Sequence, residues 1–170
     1  NLKSAQRRLD ASENIGKVGE PSSRDPEQQY EYAAGSMRVG ETTNPNTELI
    51  SVKITPTQTI VTVKVKAPKL ENYELNLDPP RSKGAWKIKD RKTNRSYALT
   101  SFLNNPSLND GEPFYIKPGS TEYITAYFER LGNDVFEFDL VDEARAIAKE
   151  SSFFRDILLN KKSEDYKRCN

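Results

Sequence analysis

Apolar and polar residues alternate with a period of two over most of positions 48–142, which is typical of half-buried β-strands. The clearest example is TQTIVTVKVKA, in which three valines occupy one face and Thr62, Lys64 and Lys66 occupy the other. Turn-forming residues at 55–58 separate this segment from ELISVKIT, so the two segments are predicted to form a hairpin. The pattern therefore predicts an antiparallel β domain.

Shorter alternating segments follow, separated by turn sequences rich in Pro, Gly, Asn and Asp. About seven or eight strands are predicted between residues 48 and 141, and the simplest architecture for them is an antiparallel Ig-like β-sandwich. The Cys and Trp pins of antibody domains are missing, so the prediction depends on the pattern alone.

The hydrophobic period changes to 3.6 after Asp142, which predicts an amphipathic helix over residues 142–160. The predicted stripe consists of Ala144, Ile147, Ala148, Ser151, Phe154 and Leu158. Such a helix either docks on the sheet or binds a partner protein. Candidate partner-binding residues are Ile147, Phe153, Phe154, Ile157 and Leu158.

Residues 1–47 contain few apolar residues and are interpreted as a polar N-terminal arm or linker. Tyr30, Tyr32, Met37 and Val39 leave a second interpretation open, in which part of this segment lies along a sheet edge. Residues 161–170 are predicted to be a charged tail.

Composition narrows the functional classes. Twenty-six basic and 25 acidic residues give a net charge of +1, and no cluster of excess Lys and Arg predicts a nucleic-acid surface. The chain has no histidine, which removes His-based catalysis and His-based zinc sites. No cofactor, metal site or membrane-spanning segment is predicted.

The single cysteine, Cys169, cannot form an internal disulfide. It is either a bystander near the C-terminus or the point of an intermolecular bridge, which leaves a homo-oligomer possible.

Aromatic residues supply the candidate ligand site. Tyr123 and Tyr127 share the outer face of a predicted strand, and exposed rings on a sheet can stack on a sugar or a peptide. Trp86 is a third candidate, although its alternation with Ile88 favours the core. The favoured alternative is that the C-terminal helix or the N-terminal arm covers both tyrosines, because such rings are readily buried with the hydroxyl at the rim.

Two segments resemble known domains. ELISVKITPTQTIVTVKVKAP is similar to the first strand pair, and GSTEYITAYFERLGNDVFEFDLVDEA to the last, of small Ig-like domains in exported proteins and lipoproteins of Gram-negative bacteria. The resemblance covers residues 48–142. It implies a non-catalytic accessory domain outside the cytoplasm, in the periplasm or at the cell surface.

Three functional hypotheses follow. The first is a non-enzymatic protein of the cell envelope or surface that docks a partner protein. The alternative is a carbohydrate-binding module that uses Tyr123, Tyr127 or Trp86. The third is a hydrolase with carboxylates alone, for which Asp139 and Asp142 are candidates, and the absence of histidine disfavours it.

Overall fold

A computed structural model describes residues 23–144, 152–160 and 167–169, and these residues are mainly β. The strands are β1 (Gln29–Tyr32), β2 (Met37–Thr42), β3 (Thr47–Ile54), β4 (Gln58–Lys66), β5 (Tyr73–Leu75), β6 (Trp86–Asp90), β7 (Ser96–Phe102), β8 (Phe114–Ile116), β9 (Thr121–Glu129), β10 (Glu137–Asp142), β11 (Ser152–Leu159) and β12 (Lys167–Cys169). One helical turn, α1 (Pro106–Asn109), precedes β8.

Ten strands form one antiparallel sheet in the order β12-β1-β3-β4-β9-β7-β6-β10-β11-β2, and β5 pairs with β8 in a small second sheet. The predicted antiparallel, mainly β class is confirmed. The two separate sheets of an Ig-like sandwich are not confirmed, because β9 pairs with both β4 and β7 and makes the strands continuous.

The sheet must curl until its two edges nearly meet. β1 and β2 lie eight strand positions apart, which in a flat sheet would be about 38 Å at about 4.8 Å per strand. Only residues 33–36 connect them, and five Cα–Cα steps span at most about 18 Å. The short connection therefore imposes a nearly closed, barrel-like sheet.

Inward-facing side chains from both halves of the sheet fill the interior. On β4 the buried residues are Thr59, Val61, Val63 and Val65, as the alternation predicts. The largest fully buried side chains of the described core are Trp86, Tyr32, Tyr97, Phe128, Phe138 and Phe154.

A buried arginine fastens the N-terminal strand to the far side of the curled sheet. Arg24, only 3 % exposed, donates to Tyr32 Oη (3.1 Å), Gly132 O (3.0 Å) and Val135 O (2.5 Å). Its guanidinium also lies 4.1 Å from the centre of the Phe136 ring. Burial lowers the pKa of Arg24, and the Tyr32 phenol acts in the opposite direction. All three hydrogen bonds go to neutral oxygens, so this cation is held by dipoles and ring faces.

The predicted helix over residues 142–160 is wrong for residues 152–159, which form β11 between β10 and β2. A β-bulge explains the error. Phe154 and Ile157 both point into the core although they are three residues apart, because the bulge inserts an extra residue between them. Spacing of three imitates a helical stripe.

Asp156 is the residue at the bulge, with φ of +54°. Its backbone N–H donates to Asp139 Oδ1 at 2.7 Å, and the same oxygen accepts a hydrogen bond from Arg91 at 2.8 Å. Gly40 lies directly opposite on β2, where a Cβ would come within 2.8 Å of the Asp156 Cβ. The bulge is thus bonded to β10 through Asp139, and glycine at position 40 leaves the room that it needs on β2.

The N-terminal arm also differs from its prediction. Residues 29–42, assigned to the arm, form β1 and β2 of the sheet, and β2 is an edge strand. The interpretation that this segment joins a sheet is therefore the one that fits, with Met37 and Val39 on the edge strand β2. Tyr30 and Tyr32 lie on β1, which is paired with β12 and β3 and is not an edge. Two tyrosines supply enough buried area to order a short polar strand.

Replacing Arg24 tests how the sheet is fastened. We expect Arg24→Met to lower the free energy of unfolding by about 2–4 kcal/mol, because the buried Val135 carbonyl and its neighbours lose their donors. Urea denaturation measures the change. Arg38→Met, on an exposed position of β2, should cost less than about 0.5 kcal/mol. Equal effects of the two substitutions would contradict the role of Arg24.

Substitutions at the bulge test its left-handed backbone. Asp156→Gly should leave the free energy of unfolding nearly unchanged, whereas Asp156→Ala should lower it by about 1 kcal/mol, since alanine resists a positive φ. Both values come from the same urea titration. A glycine variant no more stable than the alanine variant would contradict the role of the left-handed backbone at this position.

Candidate functional site

One end of the sheet is covered by a small cap, which consists of β5, α1, β8 and the loops that join them to the sheet. β9 begins at this end, whereas β4 and β7 finish there. The cap closes the core with buried apolar side chains from all three of its elements, namely Leu75, Leu108 and Ile116.

Local hydrogen bonds make the cap well defined. Asn105 Oδ1 accepts from the Leu108 N–H and caps α1, which contains Pro106 in its first turn. Asn109 then bonds both the N–H (2.7 Å) and the carbonyl (3.0 Å) of Phe102 at the end of β7. The cap is therefore attached to the sheet by backbone-directed contacts.

The exposed large hydrophobic side chains of the described residues all lie at this end. Leu70 is 94 % exposed, Tyr115 69 %, Tyr123 59 % and Leu103 41 %. We call these four residues the cap surface. Single exposed apolar residues are ordinary on proteins, but four gathered at one end, with none elsewhere in the described chain, are typical of a binding surface.

Backbone contacts bring the members of the cap surface near one another. Gly119 donates to the carbonyl of Pro68 at 2.8 Å, which places the loop bearing Leu70 against the turn that follows β8 and Tyr115. The N–H of Leu103 donates to Thr125 O at 2.9 Å, two residues along β9 from Tyr123. The two loops and the start of β9 are thus linked by backbone hydrogen bonds at the same end of the sheet.

Charges around the cap surface are mixed in sign. The surrounding charged residues lie within residues 67–72 and 103–113, on β5, in the turn after β8 and at the adjoining ends of β4 and β9; they are Lys66, Lys69, Lys117, Glu71, Glu74, Asp110, Glu112 and Glu122. Three cations and five anions give no field that would attract nucleic acid or an anionic membrane. A mixed polar rim around apolar residues is typical of protein–protein interfaces.

The predicted ligand-binding residues have different environments. Tyr123 is exposed, whereas Tyr127 is half-buried and lies about 13 Å further along the same strand at about 3.3 Å per residue. Trp86 is 1 % exposed and packs against Phe102 and Phe153, with ring centroids 5.7 and 5.1 Å away. Trp86 is therefore a core residue that no ligand reaches. Of the three predicted ligand-binding residues, only Tyr123 is exposed enough to contact a ligand.

The predicted partner-binding residues are largely internal. Phe153, Phe154 and Ile157 are buried in the core, and Leu158 is half-buried on β11. Ile147 lies outside the described residues. These side chains are buried because residues 152–159 form a strand of the sheet. The many apolar residues of this segment therefore contribute to core packing.

A shallow cleft lies beside the cap surface, where β3 begins and β4 ends. Its volume is about 190 Å³, and it is lined by Pro45, Asn46, Thr47, Glu48, Lys64 and Lys66. Lys64 lies directly opposite Tyr123 in the β4–β9 register, and its ammonium is 3.8 Å from the Glu48 carboxylate. The exposed ring and the cleft are therefore neighbours on the outer face.

The loop that forms one wall of the cleft is tied down on several sides. Asn44 accepts hydrogen bonds from the Asn46 N–H (3.0 Å) and donates to the Tyr73 hydroxyl (3.2 Å) in β5. Asn46 in turn donates to the Lys66 carbonyl at 3.0 Å, and its own carbonyl accepts from the Lys66 N–H at 2.8 Å. The wall is consequently pre-organised.

The carboxylate pair considered for hydrolysis is not arranged for catalysis. Asp139 and Asp142 are three residues apart in the extended strand β10, so their side chains point to opposite faces of the sheet. Asp139 is bonded to Arg91 and to the Asp156 N–H, and Asp142 accepts from the Ala144 N–H at 3.2 Å. Each carboxylate has a local structural role.

Within residues 23–144, 152–160 and 167–169, no group of three or more His, Cys, Asp and Glu residues could hold a metal ion. No helix in the same parts of the chain is both long and apolar enough to span a membrane. Comparison of the chain with protein-family models, curated proteins and solved structures finds no match.

Matched leucine substitutions test whether the cap surface serves binding or stability. Leu70→Ser should change the free energy of unfolding by less than about 0.5 kcal/mol, because its side chain is already in water. Leu108→Ser, in the same cap but 1 % exposed, should cost about 3 kcal/mol or more through lost burial and an added buried hydroxyl. Thermal and urea unfolding give both values, and a large loss at Leu70 would assign it a packing role.

Proposed function

We propose that this protein is a non-catalytic binding module that docks another protein on its cap surface. The observation that carries the proposal is the gathering of Leu70, Leu103, Tyr115 and Tyr123 at one end of the sheet. Their exposure costs solubility without contributing to the core, so a binding role accounts for their presence better than packing does.

The chemistry of the surface favours a protein as the partner. Tyrosines supply large, stiff contact areas with a polar hydroxyl at the rim, and they are enriched where proteins recognise one another. The neighbouring charges are of both signs, which is typical of the polar rim of a protein–protein interface. A surface that binds a polyanion would carry an excess of cations. The rigid attachment of the cap through Asn109 limits the entropy lost on binding.

The cell envelope is the proposed location. This part of the proposal is supported by the resemblance of residues 48–142 to accessory domains of exported bacterial proteins.

Site-specific photo-crosslinking tests the proposal. A benzoylphenylalanine replaces Tyr115 in one version of the full chain and Lys92 in the control, since Lys92 is exposed in the β6–β7 turn away from the cap. We expect irradiation in native envelope extract to give a discrete protein adduct from position 115 and none from position 92. Adding Leu70→Ser to the position 115 version should weaken the adduct.

The mass of the adduct identifies the kind of partner. An adduct of twice the mass of the chain would make the partner a second copy, and the cap surface a homo-oligomer interface. Equal adducts from both positions, or none from position 115, would contradict docking on the cap surface.

A further inference from the structure

The cleft beside Tyr123 has the size of a single small group. Its volume of about 190 Å³ lies below the 300–1,000 Å³ or so of sites that enclose drug-sized ligands. It therefore accommodates one monosaccharide ring, and longer chains would have to continue across the open sheet face.

The charge of the cleft favours an anion. Lys64 is partly neutralised by Glu48, whose carboxylate is 3.8 Å from its ammonium. Lys66, the second cation of the lining, is exposed and forms no ion pair within the described residues. One uncompensated ammonium beside a Lys–Glu pair leaves a net charge of +1 in the lining.

The remaining groups suit a ring that carries hydroxyls. Tyr123, on the neighbouring strand β9, pairs with Lys64 and lies next to the lining of the cleft, not within it. Its exposed ring is available for stacking on the C–H face of a sugar that extends out of the cleft. Glu48 supplies acceptor oxygens for hydroxyls. The Asn46 amide nitrogen is already bonded to the Lys66 carbonyl, so its side-chain oxygen is the part of this amide that can accept a further hydrogen bond.

We propose that this cleft binds an anionic monosaccharide unit, a hexuronate, with its carboxylate on Lys66, its apolar face on Tyr123 and its hydroxyls on Glu48 and Asn46. The tied-down loop at residues 44–47 holds the acceptors in place before binding. This site shares Tyr123 with the cap surface but does not include Leu70, Leu103 or Tyr115, so either proposal can fail alone.

Chemical-shift titration of the intact, isotopically labelled chain tests the proposal with sodium glucuronate, glucose and acetate as probes. Glucuronate should give saturable shifts at the amides of residues 46–48, 64–66 and 122–124, with a dissociation constant on the order of 1 mM, as suits one small ligand. Glucose and acetate should each bind at least about tenfold more weakly, because each lacks one half of the recognised chemistry. A short oligouronide that binds no tighter than glucuronate would identify a site for one ring.

Two variants distinguish the loss of the Lys66 charge from a loss of folding. Lys66→Gln should weaken glucuronate binding at least about tenfold, whereas Lys92→Gln, exposed in the β6–β7 turn, should leave it unchanged. Dispersed amide spectra verify that both variants are folded. The proposal is overturned if acetate or glucose matches glucuronate, if Lys66→Gln binds as the parent does, or if no probe gives saturable shifts.

Discussion

The short connection between β1 and β2 is the constraint on which the rest of this structure depends. Four residues join two strands that lie near opposite edges of a ten-stranded sheet, so the sheet has to curl around its own core. The curled sheet has two ends, at which its strands begin and finish, and these two ends have different roles. At one end Arg24 ties the N-terminal segment to the carbonyls of Gly132 and Val135. The other end is covered by the cap, whose outer side carries the exposed hydrophobic residues. A scaffold fastened at one end is thus able to present a rigid surface at the other.

Much of the sheet could be predicted from alternation, because β4 and β9 alternate between the core and the outer face, and β3 and β10 do so over part of their length. β11 could not, since the extra residue at Asp156 changes the spacing of its inward residues from two to three. β1 was not firmly predicted, because it has only four residues and its two buried tyrosines lie in a polar stretch of sequence. Curling of the sheet depends on pairings between distant strands, which local periodicity does not report.

The candidate site was only partly visible in the sequence. Tyr123 could be found from its outward position on a strand, but the same argument gave equal weight to Tyr127, which is half-buried. Leu70 and Tyr115 carried no signal, because one lies in a loop and the other on a three-residue strand. Trp86 and Phe153 were both binding candidates, although the alternation of Trp86 with Ile88 favoured the core, and the two rings pack on each other. Exposure of a large apolar side chain is a property of the folded chain, so it became evident only with the tertiary structure.

The central claim is that recognition takes place at the cap end while the Arg24 end serves as scaffold. The most direct measurement is an amide spectrum of the isotopically labelled chain in native envelope extract, in which only the labelled protein is seen. The account predicts shifts or broadening confined to residues 68–72, 103 and 114–123, with residues 91–95 and 130–135 unchanged. Changes confined to residues 91–95 and 130–135, or a spectrum identical to that in buffer, would contradict it.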